Sequence, residues 1–255
     1  MATASLSTSS IKNNLNKYGS FGTNNISSPK NYQPEGTTRV FSMSCSNGSI
    51  TADVGSFNQM GALSVDSHTN YINKTRTYSI RGFSQPTSGS GVPATSSNSI
   101  AMESIPVLNG INYTYSVWYK GTQLSATTQS YSTPVAIFGD PRGSVYMTYG
   151  LSSGKIARGS NGVIEGSTIV ANDQWNMLTW VYKSSNQIDG YVNGNLEISN
   201  ASTASASNNN IDYIGATYPY GNVEGPYRLA RIQLYSQALT QSQIAEIYNA
   251  ERLYF

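Results

Sequence analysis

The stretch Trp175–Gly194, WNMLTWVYKSSNQIDGYVNG, sets the tightest limit on what this chain can fold into. It predicts two strands of one sheet, Met177–Tyr182 and Ile188–Asn193, linked by Lys183–Gln187. Asn193-Gly194 then reverses the chain into Leu196–Ser199. An Asn-Gly pair supplies the two positive-φ positions that a type I′ hairpin turn needs. The stretch speaks for a β-sandwich and says little about chemistry.

Strand signals recur on both sides of it. They fall at Thr38–Met43, Ser49–Val54, Thr77–Ile80 and Ile100–Val107, with Asn47-Gly48, Gly55, Gly61 and Asn109-Gly110 as punctuation. Residues 83–99, FSQPTSGSGVPATSSNS, read as loop by composition. Tyr113–Lys120, YTYSVWYK, alternates with period two, which predicts a half-buried strand. Tyr113, Tyr115, Val117 and Tyr119 share one face; Thr114, Ser116, Trp118 and Lys120 share the other. Trp118 is the misfit on the polar face. Packing beneath a crossing loop is favoured for it over a binding platform. Val135–Phe138, Ser144–Tyr149, Lys155–Ala157, Ile164–Val170, Ile211–Ala216 and Leu229–Tyr235 complete the strand series. Many short strands divided by turns argue for a sandwich or barrel.

The last element reads as helix. Thr240 is placed as N-cap and Gln243 as the third helical residue, a capping box. Leu239 and Ile244 are spaced as a hydrophobic staple. Ile244, Ile247 and Tyr248 share one face, so the helix is expected to lie against the sandwich.

Charged residues make up only 11% of the 255 residues, against about 25% in average proteins. Ser, Thr, Asn, Gly and 19 Tyr fill the deficit. The net charge of +2 is too small to argue for nucleic acid. Cys45 is the single cysteine, so no disulfide forms within the chain; a small buried or half-buried thiol is expected. MATASLSTSS has neither a basic nor an apolar region of the kind a secretory signal carries. No apolar run approaches the ~18 residues of a membrane span.

Residues 1–35 form a polar arm in which 16 residues are Ser, Thr or Asn. Lys12, Lys17 and Lys30 against Glu35 place the whole net charge there. Within it, Ile11, Leu15 and Tyr18 would share one face of a short helix capped by Ser10 and ended by Gly19. So short a helix is not stable alone in water, so that face must dock. Extended, the arm reaches on the order of 100 Å, enough to cross a neighbouring subunit. Assembly through the arm is favoured over packing along its own domain. The division expected is an arm at 1–35, a β-rich extension at 36–60 and a sandwich at 61–255.

The order of these pieces resembles the concanavalin A-like lectin/glucanase superfamily, and within it the laminin G-like jelly rolls. Four segments carry the likeness: YTYSVWYK at 113–120, WNMLTWVY at 175–182, YVNG at 191–194, and LARIQLYSQALTQSQIAEIY at 229–248. IDYIGA at 211–216 stands where the family has its Ile-Gly strand. The resemblance covers about Ile100–Asn249. It implies an all-β, two-sheet antiparallel jelly roll with a short C-terminal helix, in which Trp118, Trp175, Trp180, Tyr191, Asn193 and Gly194 are scaffold. One departure stands out. The family often has an acid after the first aliphatic residue of the last strand; here Leu229 is followed by Ala230 and Arg231.

The superfamily includes glucanases, which use paired carboxylates. The acids here are scattered, among them Glu103, Asp140, Glu165, Asp173, Asp189, Glu197, Asp212 and Glu224. His68, the only histidine, reads as a surface residue. No cofactor is expected. The resemblance leaves room for a rim Ca²⁺, with Asp140 a weak candidate, since hard cations need several converging oxygens. What remains is binding. Tyr218, Tyr220, Asn222 and Tyr227 fall in one long loop, and Asp140 and Arg142 in another. Such residues in loops can hold a sugar or a partner; packing on their own domain or on a neighbouring subunit is the favoured alternative.

Three readings of function follow. The favoured one is a non-enzymatic structural protein of a virion or particle surface, a capsid decoration or phage tail-associated protein, with other protein subunits as partners in an oligomer or larger assembly. The second is a carbohydrate-binding or adhesion module that takes a cell-surface glycan. The third is a glycan-cleaving enzyme. Neither nucleic acid nor membrane is expected as a partner, and the location expected is a virion surface or otherwise extracellular, without a Sec signal.

Overall fold

A computed structural model describes residues 32–46, 48–69, 76–81, 98–102, 112–121, 135–139, 146–149, 153–159, 163–183, 187–202, 213–215 and 227–255. The central hairpin forms as its residues dictate. β12 (Asn176–Lys183) pairs antiparallel with β13 (Gln187–Val192), which pairs with β14 (Asn195–Ser202). Asn193 has φ 52° and Gly194 φ 84°, the positive values of the turn. The Asn193 side chain locks the turn, accepting from Met177 N at 2.8 Å and donating to Asn176 Oδ1 at 3.0 Å.

These strands belong to a nine-stranded sheet. It runs β14-β13-β12-β7-β16-β1-β2, with β5 joined to β16 and β4 to β5. The added strands are β7 (Tyr113–Gly121), β16 (Tyr227–Tyr235), β1 (Arg39–Ser46), β2 (Ser49–Val54), β4 (Ser64–Thr69) and β5 (Arg76–Arg81). A second sheet of seven strands runs β11-β10-β9-β8-β15-β6-β3. It comprises β11 (Val163–Ile169), β10 (Lys155–Gly159), β9 (Tyr146–Tyr149), β8 (Val135–Gly139), β15 (Tyr213–Ile214), β6 (Ser99–Met102) and β3 (Phe57–Met60). All the pairings described are antiparallel. The fold is a two-sheet β-sandwich, with one short helix among the described residues, α1 (Gln241–Glu251).

The main core lies between the sheets. Tyr115, Val117, Tyr119, Phe138, Trp180 and Leu229 are fully buried there. Trp180 ties the layers: its Nε1 donates to the Ala157 carbonyl at 3.2 Å, and its ring meets Phe138 edge-on at 6.0 Å. Residues 36–60, which sequence sets apart as an extension, supply strands to both sheets. Phe41 and Met43 of β1 sit in the main core, and β3 pairs with β6.

A second apolar layer lies on the outer face of the large sheet. Trp118, Met177, Val181, Tyr191, Tyr235, Leu239, Ile244 and Ile247 are buried in it. It exists because α1 docks there. Thr240 Oγ1 accepts from Gln243 N at 3.3 Å and Gln243 Oε1 accepts from Thr240 N at 3.0 Å, so the capping box is closed. A Cβ at Gly194 would stand 3.2 Å from the Ala245 Cα, so the Asn-Gly turn also seats the helix.

This second layer corrects the expectation that β7 is half-buried. Both faces of Tyr113–Tyr119 are buried. The polar face is covered by the approach to α1: Thr114 Oγ1 donates to the Gln237 carbonyl at 2.8 Å and accepts from Leu239 N at 2.9 Å. The register of β16 shifts between Ala230 and Gln233, where Arg231 has φ 50°. There β16 exchanges one neighbour for another: Leu229 faces Ile80 of β5, while Ile232 faces Met43 of β1.

Candidate functional site

On that outer face, beside α1, the chain forms a groove of about 570 Å³. β7 gives Trp118 and Lys120 to its floor, at the two-residue spacing that puts them on one face. The residues leading into β12 give Gln174 and Trp175. β4 gives Ser67 and His68. α1 gives Tyr248, and the C-terminal segment gives Arg252, Tyr254 and Phe255.

The aromatic groups interlock. Phe255 stacks on Trp118 with centroids 4.3 Å apart and planes 14° apart. Tyr248 stacks on Trp118 at 5.8 Å, and Trp175 meets Phe255 at 5.0 Å. Trp118 is left 2% exposed, so it is the base of the groove rather than an open platform. Its cover is α1 and the C-terminal segment, not the crossing loop expected. Trp175 and Phe255 remain half-buried and present apolar surface to the groove.

The base is fixed by a buried polar cluster. Trp118 Nε1 donates to Glu251 Oε2 at 2.7 Å, and Gln233 Nε2 donates to Glu251 Oε1 at 2.8 Å. Arg231 Nη1 stands 3.5 Å from Glu251 Oε1 with both side chains buried.

His68 is half-buried rather than a free surface residue. It meets Trp175 edge-on at 5.6 Å, and its Nε2 is 2.7 Å from Ser79 Oγ. Burial, then the Arg228 charge, holds its pKa below the ordinary imidazole value. Lys120 Nζ stands 3.5 Å from Asp173 Oδ1. The Arg252 guanidinium lies 5.9 Å over the Tyr248 ring.

Of the binding residues expected from sequence, Tyr218, Tyr220, Asn222, Asp140 and Arg142 lie outside the described residues, as do Ile11, Leu15 and Tyr18 of the arm. The expectation for Asp140 as a Ca²⁺ ligand lies there too. Among the described residues no group of three or more His, Cys, Asp or Glu could hold a metal ion. Tyr227 is a correction. It belongs to β16, is 2% exposed and stacks on Tyr119 in the main core at 6.1 Å, so it presents nothing to solvent. The residues placed as scaffold lie where described: Trp180 between the sheets, Tyr191 under α1, Asn193 and Gly194 in the turn, Thr240 and Gln243 at the cap. Two of them line the groove, Trp118 as its buried base and Trp175 on its wall.

Sequence reasoning missed most of the groove. The signals that could have found it are Trp118 and Lys120 together on the polar face of β7, and the aromatic ending Tyr248, Tyr254, Phe255.

The two antiparallel sheets and the C-terminal helix form a jelly-roll sandwich, with the groove as a concavity on its outer face. A family model of the concanavalin A-like lectin/glucanases superfamily matches residues 94–245. That is more than half of the chain, and the chain belongs to this superfamily. No curated protein matches its sequence. Among solved structures, the binding domain of Paraclostridial mosquitocidal protein 1 is similar, with 14% identity, a TM-score of 0.60, and 83% of this chain and 52% of that one covered. The botulinum neurotoxin type G receptor binding domain is 11% identical, with a TM-score of 0.55 and coverages of 84% and 51%. The botulinum neurotoxin serotype D ligand binding domain, solved in complex with N-acetylneuraminic acid, is 12% identical, with a TM-score of 0.53 and coverages of 84% and 51%. At such identities the likeness shows the fold. The chain spans about half the length of each of these structures.

Proposed function

We propose that this chain is a non-catalytic carbohydrate-binding module whose ligand lies in the groove between β4, β7 and the C-terminal segment. The observation that carries it is the pairing of half-buried aromatic rings, Trp175 and Phe255, with the polar side chains of Gln174, Lys120, Arg252 and Ser67 in one concavity. A pyranose has an apolar C–H face and a rim of hydroxyls. Aromatic rings match the face, and a few well-placed donors and acceptors match the rim. The volume lies within the roughly 300–1,000 Å³ typical of ligand sites. The described acids have other partners: Asp66 pairs with Arg81 and Arg228, Glu197 accepts from Ser167 and Thr168, and Glu251 pairs with Arg231.

Glycan-array binding followed by calorimetric titration tests the reading. Trp175→Ala is expected to weaken binding about ten-fold, the loss of an aromatic stacking partner worth up to about 1.5 kcal/mol; because Trp175 also packs on Phe255 and His68 the variant unfolds at a lower temperature, and binding is measured where it is still folded. No binding of any glycan at millimolar concentration would sink it.

The finer reading places the module on a virion or particle surface, joined to other subunits by the arm. It rests on composition and on the polar arm. Where the arm meets the described residues, Tyr32 lies on α1 of its own chain and donates to Glu246 Oε2 at 2.8 Å. Deleting residues 1–31 and measuring oligomer size tests that role; unchanged assembly would remove the arm from it.

A further inference from the structure

We infer that the groove is built for an acidic saccharide, one carrying a carboxylate, rather than a neutral one; this rests on the carbohydrate reading above. Two full cations, Lys120 and Arg252, line the groove together with His68, and among the described residues no Asp or Glu side chain lines it. The nearby acids are committed elsewhere. Asp66 is held between Arg81 Nε at 2.8 Å and Arg228 Nε at 3.2 Å. Glu251 is buried beneath Trp118, accepting its indole N–H. Asp173 neutralises Lys120 only in part: the pair is 3.5 Å apart and the Asp173 side chain is 61% exposed. A pair so open to water is weak and exchanges readily for a ligand carboxylate.

Arg252 is the principal carboxylate receptor. It is exposed, enters no ion pair with the described residues, and is steadied over the Tyr248 ring. A guanidinium presents paired N–H donors that match a carboxylate in two parallel bonds. Steadying by a ring reduces the side-chain freedom lost on binding. A sugar ring lying on Trp175 and Phe255 therefore has a carboxylate receptor at the groove wall.

The test is an array on which uronic-acid- and sialic-acid-terminated saccharides each stand beside their carboxyl-reduced counterparts, with hits titrated in solution. The acidic member of a pair is expected to bind about five-fold more tightly or better. That ratio is expected to shrink as ionic strength rises from about 10 mM to about 1 M. It is expected to fall to near one in Arg252→Gln/Lys120→Gln, with folding confirmed by an unchanged unfolding profile. Equal binding of both members would overturn the charge inference and leave the groove reading standing. An acid preference that survives the double substitution would overturn the assignment to these two residues. Failure of every saccharide to bind would overturn both readings.

Discussion

Phe255 lies almost parallel on Trp118, ring against ring at 4.3 Å, and closes the indole from solvent. The contact joins the C-terminal segment to the centre of the large sheet, because Trp118 stands on β7 between β12 and β16. A second tether helps: Thr77 Oγ1 of β5 donates to the Tyr254 carbonyl at 2.5 Å. Phe255→Ala is expected to cost about 1–2 kcal/mol, since the ring is half-buried and its stacking is lost. It should also open Trp118 to a soluble quencher. Measured in a Trp175→Phe background, acrylamide quenching of tryptophan emission should rise. Unchanged quenching would mean that Phe255 does not cover Trp118 in solution.

Glu251 anchors the same base from below. It is 1% exposed and receives Trp118, Gln233 and Arg231. Removing one member of a buried ion pair strands the other and costs about 3–5 kcal/mol, whereas replacing both with apolar groups of similar size can be nearly neutral. Glu251→Ala is therefore expected to destabilise strongly in urea titration. Arg231→Met/Glu251→Leu should lie nearer the parent than Glu251→Ala does. If the double variant were the less stable of the two, the charge pair would be supporting more than itself.

The parts of this fold legible in the sequence are those whose cause is local. Asn193-Gly194 fixes its own turn, Thr240 and Gln243 fix their own cap, and the period-two pattern of Tyr113–Lys120 fixes which side chains face the main core. β4 was not legible. Its sequence, SVDSHT, offers one aliphatic residue, and the strand forms because its backbone pairs with β5 along six registered positions. Missing β4 is also why His68 reads as a surface residue, for β4 carries it to the groove wall. The burial of the polar face of β7 was hidden for a related reason: Thr114 finds its partners at Gln237 and Leu239, 123 and 125 residues away. The groove joins residues from 67 to 255, and no local pattern announces such a meeting.

His68 gives the wall a pH dependence. Its pKa is lowered chiefly by burial and further by Arg228, with Asp66 opposing and Lys120 adding to the effect. The unfolded chain takes up its proton near the ordinary value of about 6.5, and the folded chain only at lower pH. Its contribution to stability is complete above about 6.5 and declines as pH falls through the folded value, because the unfolded state then binds more protons. The unfolding temperature of the parent should fall more steeply between about pH 7 and pH 5 than that of His68→Gln. Parallel curves would show that His68 titrates alike in both states.

Cys45 is half-buried on β1, and its thiol pKa is pushed up to about 12, by burial first and by the Asp53 charge second. The thiolate is the reactive form, so the native protein should be alkylated by iodoacetamide at pH 8 far more slowly than the urea-unfolded chain. Equal rates would place the thiol in open solvent.

Glu197 closes the opposite edge of the sandwich. It stands on β14 of the large sheet and accepts from Ser167 N at 2.7 Å, Thr168 N at 3.1 Å and both hydroxyls of those residues on β11 of the small sheet. The backbone comes close enough because residue 166 is glycine: a Cβ there would meet Ile156 Cγ2 at 2.7 Å and Glu197 Cβ at 3.0 Å. Burial alone would raise the Glu197 pKa, but the hydrogen bonds outweigh it and hold the group below the ordinary glutamate value. The resulting stabilisation is present above the ordinary range and is lost as pH falls through the folded value. Glu197→Gln keeps the shape and loses the charge. It is expected to cost about 1–2 kcal/mol near neutrality, toward the lower figure because water still reaches the carboxylate. The gap between the variant and the parent should narrow below about pH 4, where the parent carboxylate gains its proton. A gap that stayed constant down to that pH would assign the cost to packing at Gly166 and Ile156 rather than to the charge.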